Sequence, residues 1–593
     1  MLLLALACTP KPPADEAVSC DPAPSAAWSG EPAYEDHTSE WGLADVRGGR
    51  LQAVDLDGDR YPDLVVTEVY SNARDDLDAG VRYHWVLHND GGEGFVDVSE
   101  ESGLLVNRDG TLGSSTNVWV FGDVDADGDL DAFAGRYVDE GAGDATGDCS
   151  EIYLNDGAGH FTLATQTVCT EGMATSGASF TDVDADGNLD LWVVAFYDVY
   201  GALASDQSQL FRGNGDGTFT EVTEDAGLKL AKGRSTEDYL GRDVRRPAYG
   251  ATACDVDGDA FPELLSSNYG RSWNHLWHND GAGVFFEYGE AAGFDADDDL
   301  DYTDNTRYAC WYEAEGTQDD PEPTADCDGW PPDYWTPGYD DQPARLGGNT
   351  FTTVCADVDN DGDADLLNAE IVHKWAGGSS DASGLLYNDG DGVFARADNE
   401  ANGLARNRPN FKDWNEGDIT AALLDFDNDG WKDVLIGSSD YEDTQIWLWR
   451  QVSPGQFEEA SDASGLNHPW PAGLAIADFD LDGDLDVVTG SSTARTGTPW
   501  TEREVHLYEN VRDAGNWLRI EGLPVGVRVD VTAGGLTQTQ EVSGGYGHMG
   551  IQNDVALHFG LGDACLVDEV TATWPGGATE TRGPLAGNEV LTW

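Results

Sequence analysis

Seven short segments of this 593-residue chain carry aspartates at one fixed spacing. The pattern is Asp-x-Asp-x-Asp-x-x-x-Asp/Glu, and its copies begin at Asp55, Asp123, Asp182, Asp255, Asp357, Asp425 and Asp478. Carboxylates at positions 1, 3, 5 and 9, with a backbone carbonyl at position 7, suit a loop that wraps a hard cation. Calcium binds six to eight oxygens in flexible geometry, whereas magnesium tends to keep its waters. The spacing therefore predicts seven calcium loops and about seven bound calcium ions.

The predicted metal ligands are the residues at positions 1, 3, 5 and 9 of each loop. Four carboxylates within nine residues would repel one another strongly without a cation between them. The alternative is a set of solvated acidic turns, but seven copies in one pattern favour a repeated site. The ligands are Asp55, Asp57, Asp59 and Asp63; Asp123, Asp125, Asp127 and Asp131; Asp182, Asp184, Asp186 and Asp190; Asp255, Asp257, Asp259 and Glu263; Asp357, Asp359, Asp361 and Asp365; Asp425, Asp427, Asp429 and Asp433; and Asp478, Asp480, Asp482 and Asp486.

The flanking sequence distinguishes these loops from EF-hands. An EF-hand needs a bidentate Glu at position 12 and a helix on each side. The segments after the loops are apolar and β-prone instead, as in Asp190-Leu-Trp-Val-Val, so each loop is predicted to join two strands. Position 12 holds Val66, Ala134, Val193, Ser266, Asn368, Ile436 and Thr489.

Composition limits the classes of partner. A formal net charge of −81 disfavours nucleic acid, whose phosphates demand Lys and Arg, and unassisted docking on anionic lipid. A hydrophobic content of 40% with 20 Trp argues for a folded protein rather than disorder.

The N-terminal residues 1–8 resemble the end of a bacterial lipoprotein signal, because the small residue Ala7 precedes Cys8. The segment lacks a basic region and has a short apolar core, so a frayed apolar terminus is the alternative. Lipidation of Cys8 would anchor the protein to a membrane. Residues 9–33, rich in Pro and Ala, are predicted to form a tether. We therefore expect an exported protein, either secreted or held at the outer membrane or cell surface as a lipoprotein.

Eight further cysteines are compatible with an oxidised, exported protein. Our preferred disulfides are Cys149–Cys169 and Cys310–Cys327. Cys254 and Cys355 precede neighbouring loops and either pair or remain as core thiols. The residues left over are Cys20 and Cys565.

The repeats predict the architecture. Loop starts are 53 to 102 residues apart, which fits four-stranded β-propeller blades. A turn of Asn-Asp-Gly type followed by Phe recurs between loops, as in residues 154–161, and its Asn and Gly are expected to supply positive φ values. Residues 34–43 match residues 95–104 position for position, whereas the seventh blade lacks an outer strand. We predict that residues 34–43 complete blade seven.

The fold class is thus all-β, with a seven-bladed β-propeller over residues 34–512 and a small all-β module over residues 513–593. An acidic, aromatic-rich insertion covers residues 295–345. Its aromatic side chains either stack on a ligand or pack over the rim of the propeller.

The loops with their Asn-Asp-Gly-x-Gly-x-Phe turns resemble FG-GAP/VCBS repeats, the units of integrin-α-type propellers. The C-terminal segment, with Gly534-Gly535 and Trp574-Pro-Gly-Gly577, resembles the ASPIC/UnbV module. The combination is similar to the cartilage acidic protein family and its bacterial relatives. The resemblance implies an extracellular calcium-binding protein with interaction or adhesion roles. We therefore expect a monomer that binds an extracellular protein or a glycan.

Two other functions stay open. Some polysaccharide lyases use related calcium propellers, but the sequence contains no His-Glu-x-x-His, Gly-x-Ser-x-Gly or P-loop motif. Among the candidate histidines His84, His88, His275 and His278, the second and fourth occupy equivalent positions in two repeats, which favours packing over catalysis. We predict a non-catalytic protein with no catalytic residue. The third possibility is a purely structural envelope protein.

Overall fold

The computed structural model describes most of the chain. Cys8 and the predicted tether up to residue 19 lie outside the described residues. The structure describes residues 20, 23–68, 74–138, 149–168, 173–199, 205–297, 299–315, 327–406, 416–439, 441, 444–491, 493, 503–512 and 514–593.

The described residues between 34 and 510 contain seven antiparallel sheets of four strands each, joined by loops. In each sheet the chain runs outward from a buried first strand. A short pairing between the second strand of sheet 5 and the first strand of sheet 6 also joins those two sheets. The strands are β1 (Tyr34–Asp36); β2 (Arg50–Val54), β3 (Asp63–Thr67), β4 (His84–Asn89) and β5 (Phe95–Asp97) in sheet 1; β6 (Val118–Gly122), β7 (Asp131–Gly135), β8 (Glu151–Leu154) and β9 (Thr162–Leu163) in sheet 2; β10 (Thr175–Thr181), β11 (Asp190–Ala195), β12 (Gln209–Gly213) and β13 (Phe219–Glu221) in sheet 3; β14 (Ala248–Cys254), β15 (Glu263–Asn268), β16 (His275–Asn279) and β17 (Phe285–Glu287) in sheet 4; β18 (Thr350–Ala356), β19 (Asp365–Val372), β20 (Gly384–Asn388) and β21 (Phe394–Arg396) in sheet 5; β22 (Glu416–Leu424), β23 (Asp433–Ser438), β24 (Trp447–Ser453) and β25 (Gln456–Glu459) in sheet 6; and β26 (Pro471–Ala477), β27 (Asp486–Ser491) and β28 (Val505–Asn510), with β1, in sheet 7.

The seven first strands contact one another in cyclic order, from β2 through β26 and back to β2. Each sheet packs its apolar faces against its neighbours, so both faces of the second strands are buried. Large aromatic side chains such as Trp119, Trp192 and Trp449 fill the spaces between sheets. The described residues thus form an all-β, β-propeller-like ring.

The N-terminal strand β1 is the outermost strand of sheet 7, where Tyr34 pairs with Asn510. After the outer strand of six of the seven sheets, a described glycine approaches the next sheet, and a Cβ on Gly103 would lie 2.1 Å from the Phe161 carbonyl oxygen. A Cβ on Gly465 would lie 2.4 Å from the Tyr34 carbonyl oxygen. Tyr34 therefore occupies, between sheets 6 and 7, the place that a phenylalanine takes elsewhere in the ring.

The C-terminal residues form two further sheets. One consists of β33, β29 and β37, and the other of β31, β30, β34 and β35, with β36 pairing β34. Apolar side chains from both sheets, including Val529, Phe559 and Val570, share one buried cluster. The strands are β29 (Asn516–Glu521), β30 (Arg528–Ala533), β31 (Leu536–Glu541), β32 (Gly547–His548), β33 (Leu557–Gly562), β34 (Leu566–Thr573), β35 (Thr579–Arg582), β36 (Leu585–Ala586) and β37 (Glu589–Thr592).

One part of the C-terminal region leaves those sheets and enters the ring. We call residues 543–553 the central segment. It hydrogen-bonds to the first strand of every one of the seven sheets, and β32 within it pairs with β14. The ring residues that it contacts are Gln52 and Ala53, Phe121, Ser176 and Phe180, Gly250, Thr352, Ala421 and Ile476.

From the sequence we predicted that the glycine-rich stretch around Tyr546 belongs to the small C-terminal module. The structure instead places this stretch along the axis of the ring. Each first strand is the inner edge of its sheet, with backbone N–H and C=O groups that no further strand of that sheet can pair. The central segment provides partners for several of these groups. Its many glycines allow close approach, since Gly544 lies beside the Phe180 backbone.

The insertion at residues 295–345 contains the helix α2 (Thr306–Glu315), which the all-β reading of the sequence did not anticipate. Trp335 is buried against Tyr302 and Tyr308, while Tyr334 remains half-exposed. Trp335 thus packs against other aromatic residues of the insertion, while stacking of the exposed aromatic residues on a ligand stays a prediction. In the described ranges, three other α-helices have a single turn, namely α1 (Gly289–Ala292), α3 (Asn399–Asn402) and α4 (Ser461–Ser464).

Disulfides link Cys310 to Cys327, as predicted, and Cys254 to Cys355. The two residues left over by the sequence reasoning pair with each other, as Cys20–Cys565. Cys149 is also disulfide-bonded, and its predicted partner Cys169 lies outside the described residues. These bonds are typical of proteins in an oxidising compartment such as the periplasm or the extracellular space. Among the described residues, no helix combines the length and the apolar composition needed to cross a membrane.

Candidate metal centres

The 28 predicted ligands lie where the first strand of each of the seven sheets is connected to the second. Position 1 follows the first strand directly, and position 9 is the first residue of the second strand. The strands therefore hold the two ends of each loop side by side. In the first loop, ligand atoms of Asp55, Asp57 and Asp63 lie within 4.8 Å of one another. Similar groups form at Asp123, Asp125 and Asp127 and at Asp182, Asp184 and Asp190.

The backbone of each loop turns around its position-1 carboxylate. In the second loop Asp123 accepts hydrogen bonds from the N–H groups of Asp127 and Gly128. Positions 4 and 6 have positive φ in all seven loops, and in this loop they are Ala126 and Gly128. The loops of sheets 1 and 4 form a variant in which Gly occupies position 4 instead of position 6. The amide groups thus point inward and hold the carboxylates of positions 1, 3 and 5 on one side.

The position-9 carboxylate is buried in every loop and closes it. Its two oxygens accept N–H groups from position 2 of the same loop and from the third strand of the same sheet. For Asp63 the donors are Leu56, at 2.9 Å, and Asn89, at 2.7 Å. Each oxygen keeps a second lone pair, so the residue can close the loop and still bind a cation.

The Asn of the hairpin turn has a function that the sequence did not reveal. Asn89 and its equivalents do not adopt positive φ, because the glycines that follow supply it. Instead, the Asn89 side-chain amide donates to the Pro62 carbonyl in its own loop and to the Phe479 carbonyl in the loop of sheet 7. Corresponding bonds connect sheets 1 and 2 through Asn155. These amides join neighbouring loops around the ring.

A cation would fit the donors that the loops leave free. At position 3, the Oδ1 atoms of Asp125, Asp184, Asp359 and Asp427 are buried and have no hydrogen-bond partner among the residues that the structure describes. An unpartnered buried carboxylate oxygen is costly, and a bound cation is one way to satisfy it. The residues present therefore fit a hard cation with oxygen ligands.

Burial also raises the pKa of the loop carboxyl groups. It raises the pKa of Asp131 to about 7, that of Asp365 to about 8 and that of Glu263 to about 9. Backbone N–H donors oppose the shift, whereas the other carboxylates of the same loop add to it. Near neutral pH these carboxyl groups are therefore neutralised either by a proton or by a compensating positive charge.

The loops differ in the third-strand residue that faces them. This residue immediately precedes the hairpin Asn or its replacement. It is Leu154 in sheet 2, Tyr387 in sheet 5 and Glu509 in sheet 7, and it is basic in the other four sheets. The basic residues are His88 in sheet 1, Arg212 in sheet 3, His278 in sheet 4 and Arg450 in sheet 6.

The two arginines pair with loop carboxylates. Arg450 Nε lies 2.6 Å from Asp427 Oδ2, and the same guanidinium contacts Asp429. Arg212 Nη2 lies 3.0 Å from Asp184 Oδ2. Loops 3 and 6 therefore already contain part of the positive charge that a cation would supply. Aligning the residues before the hairpin turns could have revealed this difference from the sequence.

The histidines of sheets 1 and 4 take the same place. His88 Nδ1 lies 3.3 Å from Asp57 Oδ2, and His278 Nδ1 lies 3.0 Å from Asp257 Oδ2. The other two candidate histidines, His84 and His275, are buried. His84 is bonded to the Asp75 carboxylate, and burial lowers the pKa of His275 to about 3.

Solved structures resemble this chain only distantly. The biofilm matrix protein Bap1 of V. cholerae is 11% identical, with 97% of this chain and 85% of Bap1 covered and a TM-score of 0.29. A GH74 xyloglucanase from Xanthomonas campestris is 12% identical, covering 84% and 58%, with a TM-score of 0.38. The rhamnogalacturonan lyase YesW is 13% identical, covering 80% and 91%, with a TM-score of 0.28. Scores this low support no conclusion about activity. No curated protein matches the chain.

Family models match three regions of the chain. The FG-GAP-like repeat model matches residues 123–193 and 425–489, which contain the loops of sheets 2, 3, 6 and 7. The model for ASPIC and UnbV matches residues 522–593, which include the central segment. The chain therefore contains FG-GAP-like repeats and a C-terminal ASPIC/UnbV domain, which confirms the resemblance that the sequence indicated.

Proposed function

We propose that this protein is an exported, non-catalytic interaction protein built on a calcium-binding, seven-bladed β-propeller. The observation that carries the calcium assignment is the set of buried, unpartnered position-3 oxygens in four loops of one repeated geometry. Calcium would be held by the carboxylates of positions 1, 3, 5 and 9. Its binding energy would add to the free energy of folding, because the loops join the first two strands of every blade.

Calcium removal tests this assignment. In excess EGTA the melting temperature of the purified protein should fall substantially and recover when calcium is restored. An unchanged melting curve would contradict the assignment. As a matched pair, Asp359→Asn should lower the number of bound calcium ions counted by native mass spectrometry. Asp391→Asn, in the exposed hairpin turn of the same sheet, should leave that number unchanged.

Two features support the interaction role, namely the central segment on the axis of the ring and the exposed aromatic residues of the insertion. The axis of a propeller is a common place for an active site, but here the central segment bonds to all seven first strands. The insertion, in contrast, presents Tyr334 at 50% exposure next to Arg307 and Trp330. An aromatic side chain beside a guanidinium can stack on a sugar ring or contact a protein partner.

A glycan array probed with the protein, in calcium and in EGTA, tests this role. Saturable, calcium-dependent binding that is lost in Tyr334→Ala would support an adhesin that uses the insertion. Release of products from a polysaccharide would instead support an enzyme. Binding to neither glycans nor surface proteins would favour a structural role in the envelope.

A further inference from the structure

A second group of acidic side chains lies outside the seven loops, where the insertion meets sheet 5. Three separate segments contribute one residue each. Asp297 is at the start of the insertion, Glu370 is on β19, and Asp381 follows a 3-10 helix at Gly377–Ser379. Neither Glu370 nor Asp381 belongs to the repeated aspartate pattern. We call these three residues the rim cluster.

Burial makes the rim cluster unusual. Glu370 is 0% exposed and Asp381 is 2% exposed. Among the described residues, neither Oε atom of Glu370 has a hydrogen-bond partner, although the Thr350 hydroxyl lies beside it and lowers its pKa. Asp381 Oδ2 accepts the backbone N–H of Asp297 at 2.9 Å, whereas its buried Oδ1 atom has no partner in the described part of the chain. Three buried carboxylate oxygens thus lack the partners that such atoms normally have.

Nearby arginines do not complete the site. Arg396 Nη2 lies 3.7 Å from Glu370 Oε1 and 3.6 Å from Asp381 Oδ2, which is too far for a hydrogen bond. Arg271 also acts on Asp381 electrostatically, but its Nη2 atom donates to Ser379. Three carboxylates face two guanidinium groups, so the rim cluster keeps an excess negative charge. Burial raises the pKa values of all three acids, that of Asp297 to about 6. The Asp381 carboxylate adds to the shift at Asp297 and Glu370, whereas Arg396 and Arg271 oppose the shift at Asp381.

We propose that the rim cluster binds one divalent cation of the hard, oxygen-preferring class to which calcium belongs. The three side chains supply oxygen donors from three segments, and the free lone pairs of Glu370 and Asp381 lie at a place that Gly348 keeps open. A Cβ on Gly348 would lie 1.5 Å from Glu370 Oε2 and 3.1 Å from Asp381 Cβ. The cation fastens the base of the insertion to sheet 5. This site does not depend on the occupancy of the seven loops.

Anomalous diffraction on the whole protein tests the site directly. Crystals soaked in terbium chloride, a calcium substitute with a strong anomalous signal, should show a peak between Glu370 and Asp381. A map without a peak there overturns the proposal, whether or not peaks appear at the loops. Empty loops with an occupied rim cluster would refute the calcium loops alone, so the two ideas fail separately.

Ion counting provides a second test in solution. Native mass spectrometry should find one calcium ion fewer in the Glu370→Gln/Asp381→Asn variant than in the unaltered protein. Gly348→Ala, which displaces the Glu370 carboxylate without removing a charge, should have the same effect. Glu458→Gln, an exposed substitution on β25, is the control and should lose none. An unchanged count in a folded double variant would overturn the proposal and indicate that a shared proton neutralises the cluster.

Discussion

Replacing Gln552 by methionine should lower the free energy of unfolding by more than the loss of one polar side chain would suggest. Gln552 is 1% exposed and lies in the central segment. Its Oε1 atom accepts the Phe121 N–H at 2.7 Å, and its Nε2 atom donates to the Phe121 carbonyl at 2.9 Å. Phe121 is on β6, the inner edge of sheet 2, so no other strand of that sheet pairs with these two groups.

The magnitude follows from those two bonds. Methionine has nearly the length of glutamine and leaves little empty volume, but it cannot serve as donor and acceptor for the Phe121 backbone. A buried backbone group left without its partner costs about 1–3 kcal/mol. Two such groups predict a loss of about 2–6 kcal/mol in the free energy of unfolding.

Guanidinium unfolding in excess calcium, followed by tryptophan fluorescence, measures this loss. Gln456→Met is the matched control, because Gln456 is exposed on β25 and should change the free energy of unfolding by less than about 0.5 kcal/mol. Equal effects of the two substitutions would refute the view that the central segment stabilises the inner edges of the ring.

Three further results are expected. Deleting residues 34–43 should lower the melting temperature by removing the outer strand of sheet 7, and a deletion variant as stable as the full chain would reject closure by that strand. Arg450→Leu should strengthen calcium binding to the loop of sheet 6 by about tenfold, or about 1.4 kcal/mol, because the guanidinium no longer competes with calcium for the loop carboxylates. A calorimetric titration measures this affinity, and an unchanged affinity would mean that Arg450 does not compete with calcium. Burial lowers the pKa of His468 to about 3, below the value near 6.5 in the unfolded chain. Because the unfolded state then binds the proton preferentially, the free energy of unfolding falls as the pH drops from 6.5 toward 3. The loss from this residue is about 2 kcal/mol between pH 7 and pH 5, and His468→Phe should make the pH dependence of the melting temperature correspondingly shallower.

The sequence was informative wherever structure follows a local repeat. The loop starts, the strands that flank them and the Cys310–Cys327 disulfide could be predicted because each depends on residues close together in the chain. The resemblance to FG-GAP-like repeats and to ASPIC/UnbV was likewise visible in short motifs, and the family models confirm it.

Features that depend on distant residues could not be predicted in this way. The bonds between Gln552 and Phe121 span 431 positions, and nothing in the glycine-rich sequence around Tyr546 indicates a partner. Glu370 and Asp381 are ordinary isolated acids in the sequence and become unusual only through burial. The sequence did not reveal that the Asn89 amide connects two loops, because Asn is common in turns for conformational reasons and its presence there needed no further explanation.

The position of the central segment has a consequence for the order of events during synthesis. The first inner strand ends at Val54, whereas the segment that completes the axis of the ring begins at Ser543. At about 5–20 residues per second, the ribosome needs roughly 25–100 s to make the intervening chain. During that interval the emerging inner edges lack their permanent partner and are open to pairing with other chains. We therefore expect nascent or truncated chains that end before residue 543 to depend on chaperones, and the Cys20–Cys565 bond to form only after the last domain has emerged.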